Sequence, residues 1–147
     1  MHKSKIHFVV IGSGPKENLL RGIEEENLSF FGRLTNSETA NIVSKCHLGL
    51  SLRDNSIISR EAFPVKLYEY MGAGIPSIST PINEGGQLIE RLKMGLNVEN
   101  NEEQIISSIL KCQKDRVFYN SLVKNILVNS TEFKREYIIK KNLSSLV

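Results

Sequence analysis

The chain has little of what marks several protein classes. Two cysteines, Cys46 and Cys112, among 147 residues are too few for a disulfide scaffold or for a zinc site, which takes about four ligands. Each reads as a small buried hydrophobe in a reducing compartment. No apolar run approaches the roughly 20 residues that span a bilayer. The N-terminus lacks the apolar stretch of a secretory signal, so a cytoplasmic protein is expected. Charge of neither sign dominates: 19 Lys and Arg face 16 Asp and Glu, a formal net charge of +3. So small and scattered an excess gives no electrostatic footprint for nucleic acid. Gly12-Ser13-Gly14 lacks the third glycine of a dinucleotide fingerprint, and no Gly-Lys-Ser/Thr follows for a P-loop. There is no Asp-x-Asp and no carboxylate cluster to hold a cation. His2, His7 and His47 are not spaced as a metal or catalytic set, and His47 is expected to pack at a strand start.

What is there has an ordinary globular balance, 40% hydrophobic and 24% charged, which argues against disorder. The length fits one domain of about 150 residues. Ile6 to Ile11 is an apolar run closed by Gly12-Ser13-Gly14-Pro15, the pattern of a strand buried on both faces. Pro15 suits a first helical turn, and Leu19, Leu20 and Ile23 follow at helical spacing up to the acidic run Glu24-Glu25-Glu26. Leu28 to Phe31 reads as a second strand. Thr35 with Glu38 forms a capping-box pattern before a helix whose apolar face is Ala40, Ile42 and Val43. His47 to Leu52 reads as a third strand, 53–60 as a polar loop, 64–73 as a helix, Ser77 to Ser79 as a strand, and Gly95 to Val98 as a short one. Asn101 and Gln104 form a second capping-box pattern ahead of the stripe Ile105, Ile106, Ile109 and Leu110. From Asp115 onward the chain looks helical, with a break near Asn129 to Thr131. Strands alternating with helices at short intervals predict βαβ units: an α/β, Rossmann-like, mainly parallel sheet with helices on both faces. Ligands of such folds sit at the carboxyl ends of the strands.

The stretch Ser59 to Thr80 carries the most chemistry. Proline drives Phe63 toward an extended conformation and itself suits the first helical turn. That places Glu61 in the loop before a helix and Glu69 on its second turn, so the two carboxylates serve different parts of a ligand. None of Glu61, Ala62 or Phe63 is a strong helix cap, which leaves the amides of Val65, Lys66 and Leu67 without a side-chain acceptor. Free amides at the positive end of a helix, with Lys66 alongside, suit a phosphate. Leu67, Tyr68, Tyr70 and Met71 predict an apolar setting for Glu69, where a carboxylate is costly unless it meets donors such as ribose hydroxyls. The bland alternative pairs Glu69 with a lysine and leaves Glu61 solvated.

Glu61, seven residues and Glu69, followed by Tyr-Met-Gly-Ala-Gly-Ile-Pro, resembles the donor-site signature of retaining GT-B glycosyltransferases, in particular the group 1 family (family 4). Val10-Ile11-Gly12-Ser13-Gly14-Pro15 is similar to that family's glycine turn after a buried strand. Phe30-Phe31-Gly32-Arg33-Leu34 is similar to its next strand and loop, and Thr80-Pro81-Ile82-Asn83-Glu84-Gly85-Gly86 to a later turn. The likeness runs in consistent order from about Ile6 to Val98. It implies that Glu61 takes the catalytic place against the donor's sugar hydroxyls, with the Ala62-Phe63-Pro64 backbone beside the diphosphate. Glu69 would bind the ribose of a nucleotide-diphosphate sugar, Lys66 and the helix N-terminus the phosphates. Arg33 and Leu34 would border the base, while Gly12 and Gly14 shape a turn facing the enzyme's other domain. Transfer would proceed with retention, with no metal and no cofactor beyond the nucleotide sugar, fixed positive groups stabilising the leaving phosphate.

The family resemblance covers only a C-terminal, donor-binding half. Residues 1–147 would form one nucleotide-sugar-binding domain lacking its first βα unit, with a helical tail over about 115–147. Its acceptor domain would be fused upstream or carried on another chain, and the isolated chain would be inactive. The expected acceptor is a saccharide or lipid-linked saccharide of polysaccharide or glycoconjugate assembly. Two alternatives stand beside this: a non-catalytic nucleotide-sugar-binding subunit of a split enzyme, and a structural Rossmann-like interaction domain. A missing strand would leave a sheet edge open to self-association. Residues 114–141 hold seven Lys or Arg against three acids; a solvated helix face is the first reading, and weak attraction to an anionic membrane surface, the inner face of a membrane, the second.

Overall fold

Five strands of three residues each alternate with seven helices along residues 6–130, the part of the chain that the computed structural model describes. They gather into two compact units divided after Ile42.

The first unit runs β1 (Phe8–Val10), α1 (Glu17–Arg21), β2 (Leu28–Phe30) and α2 (Asn36–Val43), whose final residue already falls in the second. The two strands pair in parallel, with Phe8 opposite Leu28 and Val10 opposite Phe30. The capping box before α2 closes as its sequence predicts. The Glu38 amide donates to Thr35 Oγ1 (3.3 Å), and the Glu38 carboxylate accepts from the Thr35 amide (2.9 Å) and hydroxyl (2.6 Å). Those hydrogen bonds hold the Glu38 carboxyl below its usual range.

The second unit contains β3 (Gly49–Ser51), α3 (Ile57–Glu61), α4 (Val65–Gly72), β4 (Ser77–Ser79), α5 (Glu84–Arg91), β5 (Gly95–Asn97), α6 (Glu102–Lys114) and α7 (Arg116–Asn129). Its sheet order is β3-β4-β5, parallel throughout. The register aligns Gly49 with Ser77 and Gly95, and Ser51 with Ser79 and Asn97. Alternation along a strand puts these six small or polar residues on one face. Small residues let helices lie close. A Cβ on Gly49 would strike the Tyr70 ring of α4, and one on Gly86 of α5 would strike the side chain of Asn97. Leu67 and Met71 of α4, Ile89 of α5, Ile126 of α7 and Met94 in the turn before β5 form the buried core. Every strand pair in both units is parallel, as the alternating pattern predicts.

Several expectations need correction. β1 is not buried on both faces: Phe8 is 36% and Val9 37% exposed, because among the described residues its sheet contains just one other strand. The acidic run 24–26 follows α1 rather than ending it. Part of the polar loop is a helix, α3, too short to show a period. The turn after β4 continues into α5, disguised by the poor helix formers Gly85 and Gly86. Asn83 starts it by accepting from the Gly86 amide (2.8 Å). The second capping pattern forms halfway: the Gln104 amide donates to Asn101 Oδ1 (3.1 Å), but Gln104 Oε1 accepts from the Glu99 amide instead of that of Asn101. In α6 the buried residues are Ser108 and Cys112, while Ile106 is exposed. His47 is exposed, and its carbonyl, not its ring, is the anchor, accepting from the Tyr119 hydroxyl (2.9 Å). Cys112 is buried but Cys46 only half-buried; the two are not joined by a disulfide, and burial pushes both thiols up. The expected helical tail is described as far as Ser130; the rest of it, with the basic residues from 134 on, lies outside the described residues.

Candidate functional site

The junction between α3 and α4 brings together six of the predicted site residues. Ser56 caps α3 by accepting from the Ser59 amide, and the helix ends at Glu61, so this carboxylate sits on a helix end rather than in a loop. The backbone turns extended at Ala62 (φ −86°, ψ 130°) and stays so at Pro64 (φ −74°, ψ 107°). Pro64 is therefore the residue before α4, not part of its first turn. It is buried, and a Cβ on Gly85 would come within 2.8 Å of its Cδ, so the start of α5 supports the junction. The Phe63 ring stacks on Tyr68 with centroids 4.7 Å apart.

No side chain caps α4, as the run Glu61-Ala62-Phe63 predicts. The Leu67 amide donates to the Pro64 carbonyl (3.0 Å), so the unclaimed donors of the first turn narrow to Val65 and Lys66. Lys66 is exposed beside them.

Glu69 lies on the second turn, and here the structure corrects the sequence reading. Leu67 and Met71 face the core, whereas Val65, Lys66, Tyr68 and Glu69 are exposed. The helix is two-sided, apolar within and solvated without, because residues 67 and 71 are one turn apart. Glu69 thus lies in water rather than in the apolar setting that its neighbours in sequence predict. Among the described residues no lysine or arginine forms an ion pair with Glu61 or Glu69. Tyr70, next to Glu69, turns inward and donates to the Leu50 carbonyl (3.1 Å); burial first, then the Glu69 carboxylate, pushes its phenol up.

Gly12, Gly14, Arg33 and Leu34 belong to the first unit. Gly12 has φ +141°, open to glycine and strained for other residues, and its amide donates to the Gly32 carbonyl (2.7 Å). The Gly14 carbonyl accepts from the Glu17 amide (3.0 Å) at the start of α1. Arg33 is exposed and Leu34 half-buried in the turn before α2. A shallow cavity of about 220 Å³ in this unit is lined by Leu20, Arg21, Ile23, Leu28 and Phe30, none of them a predicted site residue.

Sequence reasoning missed the residues that secure the junction: Arg53, Asp54, Ser59 and Thr80. One signal was available, since Asp54-Asn55-Ser56 ahead of Ile57-Ile58 is a helix-start pattern. Among the described residues no three His, Cys, Asp or Glu side chains gather as a metal site, and no helix is long and apolar enough to cross a membrane.

Residues 1–115 match the family model of glycosyl transferases group 1. A chitobiosyldiphosphodolichol beta-mannosyltransferase of Candida glabrata is 28% identical over 131 residues, 86% of this chain and 28% of that protein. The crystal structure of WaaG, a glycosyltransferase involved in lipopolysaccharide biosynthesis, aligns with a TM-score of 0.71 at 16% identity, over 96% of this chain and 38% of WaaG. That likeness shows a shared fold, Rossmann-like and of GT-B type. The chain spans about a third of the length of these relatives.

Proposed function

Because the chain belongs to the group 1 glycosyl transferases, we propose that it is the donor-binding part of an enzyme that moves a sugar from a nucleotide-diphosphate sugar. One observation carries this reading: α4 begins without a side-chain cap, its Val65 and Lys66 amides unclaimed, between two exposed carboxylates on Glu61 and Glu69. The positive end of a helix attracts a diphosphate, and the Lys66 ammonium adds charge where the leaving group develops its own. The Ala62-Phe63-Pro64 backbone borders that diphosphate. Glu69 then accepts from ribose hydroxyls and Glu61 from hydroxyls of the sugar. For the first unit by itself, Arg33 and Leu34 are proposed to border a base, and Gly12 and Gly14 to shape a turn toward the acceptor domain.

The reaction is proposed to retain anomeric configuration and to need no metal. With the acceptor domain supplied and an α-linked donor, an α-linked product that forms in the presence of EDTA supports both points; a β-linked product overturns the first. An acceptor that carries a saccharide, a lipid or both agrees with the names of the Candida glabrata mannosyltransferase and of WaaG. Since the chain covers 28% and 38% of these two proteins, the same site also suits a subunit that works with a separate acceptor-domain chain, and the 147 residues alone are proposed to be inactive. The sheet edge where the missing strand would pair is proposed to promote self-association, which sedimentation as a strict monomer at high concentration would refute.

The direct test titrates the chain with UDP, GDP and ADP by NMR, beside Glu69→Ala. Amide shifts over 61–69 with one nucleotide, weakened about tenfold in the variant, are expected and name the base. An unshifted spectrum with all three nucleotides overturns the site.

A further inference from the structure

α3 is not a helix that stands by itself. Five residues fall far below the dozen or so at which an isolated helix becomes even marginal, and Ser59 is its one buried residue. Two neighbours just beyond β3 hold its ends. At the N-terminus the Asp54 carboxylate accepts from the Ser56 amide (3.2 Å), the Ser56 hydroxyl (2.6 Å) and the Ser59 hydroxyl. These bonds hold the Asp54 carboxyl below its usual range. At the C-terminus Arg53 Nη1 donates to the Ala62 carbonyl (3.0 Å) and, at 3.5 Å, to that of Ser59. Carbonyls near a helix C-terminus lack intrahelical partners, and a cation is favoured there.

Arg53 is itself fixed from below. Its amide donates to Thr80 Oγ1 (3.0 Å), and the same hydroxyl donates to the Arg53 carbonyl (3.1 Å). Thr80 is fully buried and directly follows β4. One residue therefore connects the carboxyl ends of β3 and β4, through its backbone, to the residue after Glu61, through its side chain.

We propose that Arg53 is a positioning residue for donor recognition: it fixes Glu61 and the Ala62-Phe63-Pro64 backbone against the start of α4. This rests on the donor-site reading above. Arg53 acts through the junction, so it governs the part of the ligand that meets Glu61 more than the part that meets Glu69.

Arg53→Gln removes the charge while keeping a polar side chain, and Arg53→Lys keeps the charge on a single, more flexible donor. Both are compared with the wild-type 147-residue chain in two experiments. In hydrogen exchange, the Arg60 and Ala62 amides, bonded to the Ser56 and Ile58 carbonyls, are expected to exchange about tenfold faster in Arg53→Gln while β4 amides hold their rates. In titrations with UDP-glucose, GDP-mannose and ADP-glucose, each beside its nucleoside monophosphate, Arg53→Gln is expected to lose about tenfold more affinity for the sugar nucleotide than for the monophosphate, with Arg53→Lys between. Unchanged exchange at Arg60 and Ala62 overturns the proposal, as does an equal loss for both ligand types. Failure of the wild-type chain to bind any sugar nucleotide overturns the donor-site reading instead, and the exchange rates alone then decide whether Arg53 fixes the junction.

Discussion

The two units bury their apolar residues very differently. Every buried hydrophobic residue among those described lies in the second unit, on α4, α5, α6, α7, β4 or the turns just before β4 and β5, and α1 and α2 bury none. The second unit has three strands to cover and enough helices to cover them. The first has two strands, and its Leu19, Ile23 and Phe31 face outward. Since apolar burial supplies about 25 cal/mol per Å², local stability concentrates in the second unit. The capless helix α4 is built onto that core, whereas the glycine turn and the loop at Arg33 belong to the thinly packed unit.

The largest test of that contrast is a matched pair of truncations. Leu67→Ala, at a residue with 0% exposure, is expected to cost about 2–5 kcal/mol in urea unfolding. Leu19→Ala, 67% exposed, should change stability by no more than about 0.5 kcal/mol. Equal effects would show that the first unit contributes a core of its own. Next comes Gly86→Ala, whose methyl would strike the Asn97 side chain. Asn97 donates to the Ser79 (2.9 Å) and Pro81 (3.1 Å) carbonyls and accepts from the Asn83 amide, so overpacking here is expected to cost about 1–3 kcal/mol. A neutral result would mean that α5 slides on the sheet. The smallest effect is expected at Ser79, whose buried hydroxyl has no hydrogen-bond partner among the described residues. Ser79→Ala should be neutral or stabilising by up to about 1 kcal/mol, and a clear destabilisation would point to a buried water bonded there.

The same contrast governs what could be read from the sequence. β4 is recognisable to the residue from Ser77-Ile78-Ser79, and the uncapped start of α4 follows from residue types alone, since each depends on neighbours in the chain. The capping box at Thr35 and Glu38 is legible for the same reason. What escaped depends on partners distant in sequence. β1 has the composition of a buried strand, yet burial is decided by how many strands and helices lie beside it. Glu69 sits among apolar letters, but Leu67 and Met71 turn inward and leave it in water. α5 hides behind Gly85 and Gly86, which are there because Pro64 and Asn97 occupy the space a Cβ would need. Arg53 and Thr80 lie 27 residues apart and meet only because β3 and β4 are neighbours.

Tyr70 gives the site a mechanical property. Successive residues point about 100° apart around a helix, so the inward ring of Tyr70 sets the outward bearing of Glu69 beside it. The ring occupies the space above Gly49 and its hydroxyl reaches the Leu50 carbonyl. A ligand that pulled on Glu69 would therefore work against a strand of the sheet rather than a loop, since turning α4 about its own axis would break the bond from Tyr70 to Leu50.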